Sequence, residues 1–583
     1  MALVMAGIGL RRLLERQMIK RKRTPIEYAV LATIGCFVAA IIKYPNRAIL
    51  TNPRPDLKAL GRDAPGYPLI GNLTDILFHR EDPLDFLHKT FQEHGDVISI
   101  TMPLLGRAII LNRPEFMEHI FKTNFDNYVK GDMFRWNLTD IFGRGIFVAD
   151  REEWRFHRKT ASNIFTTKLY RSLVEGAFKS SAEDFSTVLD RAIAIDKPVD
   201  LQDKFLKLTL DAFGKLTFGL EFKALLSEDG PNEFGDAFDF LNSAADSRMA
   251  NPIWFITDRI IPGRWKKHWG CIGILDEYAA KAVRNRRAET PEQAAARTRD
   301  LLDHFINYKS EDGTMLTDRE LRDVFVNFMI AGRDTTAQAL TWQFYCLMAN
   351  PRIMNNILHE IDTVLEGSTD KITYEVLMNE LPYVKAVFHE TLRLHTPVSK
   401  NVKQAVDDDI LPDGTRVYKG EFIGYSNWCM GRNKAVWGID AELFVPERWL
   451  ASSDVPPGTP GGSGDSGLTA NPATGRRVSP FGKFKPESQF KFIAFNAGPR
   501  LCLGMTFAQL EAMATTCILL QRYQFKLTPG HPEPMVKGSI TLPMKEALMT
   551  IVTKRTDGPV RASPAAAAVG GDGGSVHLSQ REE

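Results

Sequence analysis

"FIAFNAGPRLCLG", residues 492–504, sets one cysteine between glycines and two positions beyond an arginine, in the last fifth of a 583-residue chain. A lone cysteine is most often a small buried hydrophobe. Its five companions, at 36, 271, 346, 429 and 517, make no CxxC pair, so zinc-finger and thioredoxin-type spacings are absent. Six cysteines in so long a chain do not make a disulfide scaffold either. An inert thiol, a nucleophile or a single axial ligand remain, and the neighbours favour the ligand. Gly498 and Gly504 let the backbone turn sharply and come close to a large flat group. Amides in such a turn can face a thiolate, and Arg500 offers a permanent charge to a carboxylate. Phe495 would cover the sulfur. The run "MTFAQLEAMATTCILLQRY" that follows has helical composition, so the thiol precedes a helix N-terminus, where an anion is favoured.

A haem iron held by one thiolate uses all of these features. The pattern F-x-x-G-x-R-x-C-x-G, carried by Phe495, Gly498, Arg500, Cys502 and Gly504, resembles the haem-binding signature of cytochromes P-450. Three further stretches resemble that family in the expected order. "EEWRFHRK" puts Trp154 and Arg158 four apart on one helical face; alone it would read as a solvated aromatic–cation contact, but the resemblance implies a hold on a haem propionate, with Lys130 of "NYVKG" as a third contributor. "HETLRLHTPV" carries Glu390 and Arg393 in an E-x-x-R pair, and "FVPERW" follows with Arg448. Most such pairs are surface contacts of small worth; the resemblance implies a buried ion-pair cluster that fixes the haem-side architecture. In "TDRELRDVFVNFMIAGRDTTAQALTWQFYCLMAN", Thr317 and Glu320 read as a capping box. With no proline before Pro351, the spacing predicts a helix of about 33 residues, roughly 50 Å long. Its "AGRDTT" centre is weak helix, and by resemblance it is the oxygen-binding groove, where Asp334 and Thr335 relay protons.

The expected fold is mainly α with a small β-rich part, the P-450 fold. Strand-like runs "DVISITM" and "AIILN" lie near residues 96–112. The haem-thiolate domain is expected over 65–554. Within it, 451–485 is rich in Gly, Ser and Pro and reads as a disordered insert; 555–583 reads as a disordered tail. A formal net charge of +2 gives no reason to expect nucleic acid.

Residues 28–50 read as a membrane anchor. Their uncharged run Tyr28–Ile42 is short of the roughly 20 residues that span a bilayer, and Ala48, Ile49 and Leu50 extend the apolar contact. Residues 51–64 resemble the proline-rich hinge of microsomal P-450s, which puts the catalytic domain on the cytosolic face of the endoplasmic reticulum. The leader, 1–27, carries seven basic residues between Arg11 and Arg23, a stretch in which Glu15 is the one acid. By the positive-inside rule those charges hold the N-terminus in the cytoplasm, and an arginine-rich, acid-poor leader also fits an organellar presequence.

The resemblance implies a monooxygenase with haem b that takes O2 and inserts one oxygen atom into a C–H bond. No flavin or nicotinamide fingerprint occurs, so NADPH electrons would arrive through a separate cytochrome P-450 reductase, with cytochrome b5 as a further candidate donor. Lys483, Lys485 and Lys491 would offer a positive docking face. "DIFGRGIFVADREEWRFHRKTAS", "LPDGT" and "CMGRNKAVWGIDAELFVPERW" are most similar to the plant and fungal fatty-acid and alkane terminal hydroxylases. Met505 replaces their usual lysine after the final glycine. The lipophilic pocket is expected to include Phe328, Ala331, Val398 and Leu542. A reductase-independent P-450 that rearranges lipid hydroperoxides and a non-catalytic haem sensor are the alternatives; retention of Asp334–Thr335 argues against both.

Overall fold

The computed structural model describes residues 24–59, 66–227, 232–297, 299–309, 313–451 and 478–556. The basic leader through Arg23, most of the expected insert and the tail beyond residue 556 lie outside the described residues.

A 32-residue helix, Asp318–Ala349, forms the axis of the molecule, started by the expected Thr317/Glu320 capping box. It runs unbroken through "AGRDTT". Gly332 is explained by packing: a Cβ there would fall 2.1 Å from the ring of Phe213, on the helix Leu201–Phe218. That helix, Arg264–Arg287, Pro382–Leu394 and Met505–Arg522 all pack on the axis, burying one large apolar core.

The β part is larger than the 96–112 hairpin. Strands β1 (Val97–Met102) and β2 (Gly106–Leu111) pair antiparallel. The same sheet takes in β3 (Tyr128–Val129), β5 (Lys400–Ala405) and β8 (Phe422–Ser426), in the order β1-β2-β8-β5-β3, with β2 and β8 parallel. A second sheet joins β4 (Val199–Asp200), β10 (Met549–Lys554) and β9 (Tyr523–Leu527), and a third pairs β6 (Asp409–Ile410) with β7 (Arg416–Val417). β8 is buried throughout and therefore lacks the alternation that marks a half-exposed strand.

The N-terminal apolar run forms a 19-residue helix, Pro25–Lys43, with its own Thr24/Glu27 capping box and no buried residue. It is long and apolar enough to cross a membrane. The proline-rich stretch after it packs on the domain over its first part. Thr51, Arg54 and Leu57 are buried, and Arg54 binds both carboxylate oxygens of Glu421 at 2.9 and 2.8 Å.

Candidate haem-thiolate site

Cys502 lies in the turn between the short helix Gly498–Arg500 and the helix Met505–Arg522, and its amide donates to the Phe495 carbonyl at 2.8 Å. Gly498 has φ +57°, and a Cβ there would meet the Phe121 carbonyl oxygen at 2.1 Å, so this turn admits no side chain at that position. Cys502 keeps solvent-accessible surface, yet enough protein encloses it for burial to push its thiol pKa up, with the Gly504 amide and Arg158 pulling the other way. The Arg158 guanidinium donates to the Leu501 carbonyl, one residue away.

Only two positions of the long helix between Asp323 and Phe344 escape burial, Ala331 and Thr335. They are one turn apart, and the Thr335 hydroxyl donates to the Ala331 carbonyl at 2.6 Å. Asp334 points elsewhere. Its carboxylate accepts from Asn242 at 2.7 Å and from Arg333 at 2.7 Å, and Arg333 also reaches the half-exposed Asp239 at 2.6 Å. Burial raises the Asp334 pKa to about 6, with Arg333 opposing. Among the described residues no hydrogen bond joins Asp334 to Thr335, so the expected acid–alcohol pair is adjacent in sequence but divided between two faces of the helix.

The expected pocket set separates in the same way. Ala331 and Val398 keep accessible surface, whereas Leu542 is 1% exposed. Its amide and carbonyl are bonded to Gln338 and Trp342, which fixes it in the core. Phe328 is also buried and packs on Phe305.

The flank of the site is rich in cations. Arg500 donates to Asp150 at 3.0 Å, and its guanidinium lies 4.4 Å from the Trp154 ring centroid. Asp150 also accepts from the amides of Lys130 and Gly131 and from Arg135, so its acceptor capacity is largely used. The ammonium groups of Lys130 and Lys403 have no carboxylate in ion-pair contact among the described residues; they lie over Phe134 and Phe121. Burial, then the charge of Arg500, lowers Lys130 to about 8 and takes Lys403 well below the usual lysine range. Arg500 is lowered by burial to about 10, and its Nε is buried without a partner. Buried cations in such excess call for an anionic partner. A dianionic haem beside the accessible Cys502 thiol fits this donor set. Lys403 and Asp150 were not expected from sequence; only the lysine at an inward position of a strand hinted at the first.

The ion-pair cluster is present as expected. Glu390 is fully buried, paired with Arg393 through two 2.7 Å bonds, and it also accepts from Arg448 Nε at 3.0 Å, Trp449 Nε1 at 2.9 Å and the Val445 amide at 2.8 Å. Burial raises its pKa, but Arg393 and Arg448 more than offset this and hold the carboxyl below its usual range. Arg393 extends to the carbonyls of Gly431, Ala441 and Leu443, tying the E-x-x-R helix to the loop that carries Arg448. Of the three docking lysines, Lys483 and Lys485 are exposed, while Lys491 pairs with Glu487 at 3.0 Å and lies over Trp437.

Comparison with known proteins agrees with this geometry. The family model described as Cytochrome P450 matches residues 62–551. The chain is 34% identical over 543 residues to Cytochrome P450 monooxygenase cyp1 of Mycosarcoma maydis, covering 90% of this chain and 80% of that protein. It is 33% identical to Cytochrome P450 86B1 of Arabidopsis thaliana, covering 84% and 86% of the two chains, and 31% identical to Cytochrome P450 94A1 of Vicia sativa, covering 79% and 84%.

Proposed function

The chain belongs to the cytochrome P450 family and is a P450 monooxygenase, and from that premise we propose that it hydroxylates a long-chain fatty acid or alkane at or near the methyl terminus. The reading of the substrate rests on the motifs shared with plant and fungal terminal hydroxylases and on the similarity to the plant relatives above. The observation that carries the chemistry is the accessible Cys502 thiol beside the Arg158 and Arg500 guanidinium groups.

Bound haem b supplies oxygen activation, with a thiolate ligand favouring O–O cleavage. The protein's part is to hold and to steer. Cys502 would ligate the iron, and Arg500, Lys130, Lys403 and Arg158 would hold the propionate side, with Trp154 supporting Arg500 from below. Thr335 retains lone pairs that can accept from water while its proton is committed to Ala331. Asp334, with a pKa near 6, can hold a proton close to neutral pH, and Arg333 links it to Asp239 at the surface. In this reading a side-chain rotation of Asp334 away from Asn242 would be needed before it serves Thr335. Apolar Val398 and Ala331 would keep water from the alkyl chain. Electrons would come from NADPH through a separate reductase docking beside the exposed Lys483 and Lys485, at the endoplasmic reticulum membrane.

Turnover of the haem-loaded protein with reductase, NADPH and a panel of fatty acids and alkanes tests this. Thr335→Ala should lower product formed per NADPH by about 10²-fold or less, the lower range of positioned proton transfer, while NADPH consumption falls far less. Unchanged coupling would remove Thr335 from the relay; conversion of lipid hydroperoxides without reductase would favour the rearranging alternative.

A further inference from the structure

Three stretches of chain are fastened to the axial helix beside its accessible positions, Ala331 and Thr335. The helix Glu233–Ala250 is held at Asn242, whose side-chain amide donates to Asp334 at 2.7 Å. The segment that runs through Val398 into β5 is held at His395, stacked on Trp342 with ring centroids 4.2 Å apart. The loop before β10 is held at Thr541, which accepts from Gln338 at 2.9 Å, and at the Leu542 carbonyl, which accepts from Trp342 at 2.9 Å.

Away from the axis the three meet again, at one ion pair. Lys400 Nζ lies 2.6 Å from Asp246 Oδ1. Asp246 is one helical turn beyond Asn242, on the same face. A Cβ on Gly538 would stand 3.5 Å from its carboxylate, and three residues of chain, at most about 10 Å, separate Gly538 from Thr541. On the other side burial alternates, with Val398 half-buried, Ser399 buried and Lys400 exposed, so Lys400 shares a face with Val398. Backbone packing does not account for this meeting. The helix Glu233–Ala250 packs chiefly on the helices Gly131–Phe142 and Arg264–Arg287, and β5 on its own sheet. Two side chains therefore span an interval between the helix and the strand.

The pair is unequal. The Asp246 side chain keeps 14% of its surface and that of Lys400 keeps 41%. Among the described residues Asp246 is the one ion-pair partner of Lys400, and an ammonium has three donors, so two remain open. A half-exposed pair of this kind adds little to stability, which leaves its placement, on the face that Val398 begins, unexplained by folding alone.

We propose that Lys400 binds the carboxylate of the substrate, with the alkyl chain running past Val398 towards Ala331 and Thr335. Asp246 orients the ammonium in the free protein and competes with the incoming acid for it. The inference rests on the lipid substrate proposed above and narrows it to a fatty acid rather than an alkane.

The test titrates the full haem-loaded chain with hexadecanoic acid and with its methyl ester, reading the Soret shift on binding. Lys400→Met should weaken the acid about three- to tenfold, the worth of a charge-assisted bond at a half-exposed site, and leave the ester unchanged. Lys400→Arg keeps the charge and should hold the acid near its parent affinity. Asp246→Asn removes the competitor and should tighten the acid about twofold or more, again without effect on the ester. If Lys400→Met leaves the acid unchanged, or weakens acid and ester alike, the carboxylate contact is overturned while the lipid reading stands. Weaker acid binding in Asp246→Asn would make the pair a structural tie and overturn it equally. If neither acid nor ester shifts the parent spectrum, the lipid reading fails and this contact with it.

Discussion

At the scale of single residues, the motif around Cys502 was readable because all its parts lie within ten positions and each is demanded by one turn. Replacing that thiol tests the assignment directly. Cys502→Ser should abolish the red-shifted Soret band of the reduced carbon monoxide complex, because a serine hydroxyl does not supply the thiolate ligand; persistence of the band would place the iron on another residue. Lys403 makes the opposite case. Beyond its inward strand position, nothing local distinguishes it from Lys400, the other lysine of "KNVKQA". It becomes a site candidate only because β5 and Asp150, far apart in sequence, meet beside Arg500. A charge-assisted bond to a buried anion contributes about 1.5–3 kcal/mol, so Lys403→Met should speed haem loss to a scavenger protein about ten- to a hundredfold. In haem-free protein the same change should raise the melting temperature, because it removes an uncompensated buried charge. Equal haem-loss rates would take Lys403 out of the site. Asp334 shows where local reading stops: residue order put it beside Thr335, and helical geometry, with successive side chains about 100° apart, turned it towards Asn242 and Arg333.

At the scale of elements, the long helix was legible to within a residue at each end because capping, length and the absence of proline all agree. The sheet was only half legible. β1 and β2 are local and form a hairpin, while β8 has no alternation and reaches β2 through long-range pairing. The E-x-x-R helix is held by a charge cluster whose energetics yield a signed prediction. Glu390→Gln leaves Arg393 and Arg448 buried without their carboxylate, a loss of about 3–5 kcal/mol. The Glu390 carboxyl is held below its usual range in the folded state. Its contribution is therefore present above the unfolded carboxylate pKa and disappears as pH falls through the folded value. Urea unfolding of wild type and Glu390→Gln should differ most near neutral pH and converge as the medium becomes acidic. A difference that stays constant with pH would mean that the glutamine fails by shape rather than by charge.

At the scale of the whole molecule, the apolar helix and the strap after it, residues 44–57, make separable contributions, although in sequence they run together as one N-terminal segment. The helix Pro25–Lys43 buries no residue against the domain, so removing residues 1–43 should delete the candidate anchor and none of the described core. That truncated protein should bind haem, melt with the full chain and leave the tightly held membrane fraction for one that mild salt or detergent releases. Removing residues 1–57 is different. It takes away Leu57 and Arg54, both buried, and leaves Glu421 with the Tyr418 amide at 2.9 Å and the more distant Arg107 guanidinium at 3.8 Å. A largely buried carboxylate stripped of its closest guanidinium costs about 1–3 kcal/mol, which lowers the melting temperature by a few degrees in a large domain. The decisive comparison is the melting of the two truncated proteins with haem bound. If both melt alike, Arg54 carries no stability and the strap is only a tether. If the shorter deletion alone already lowers the melting temperature, the apolar helix belongs to the folded core.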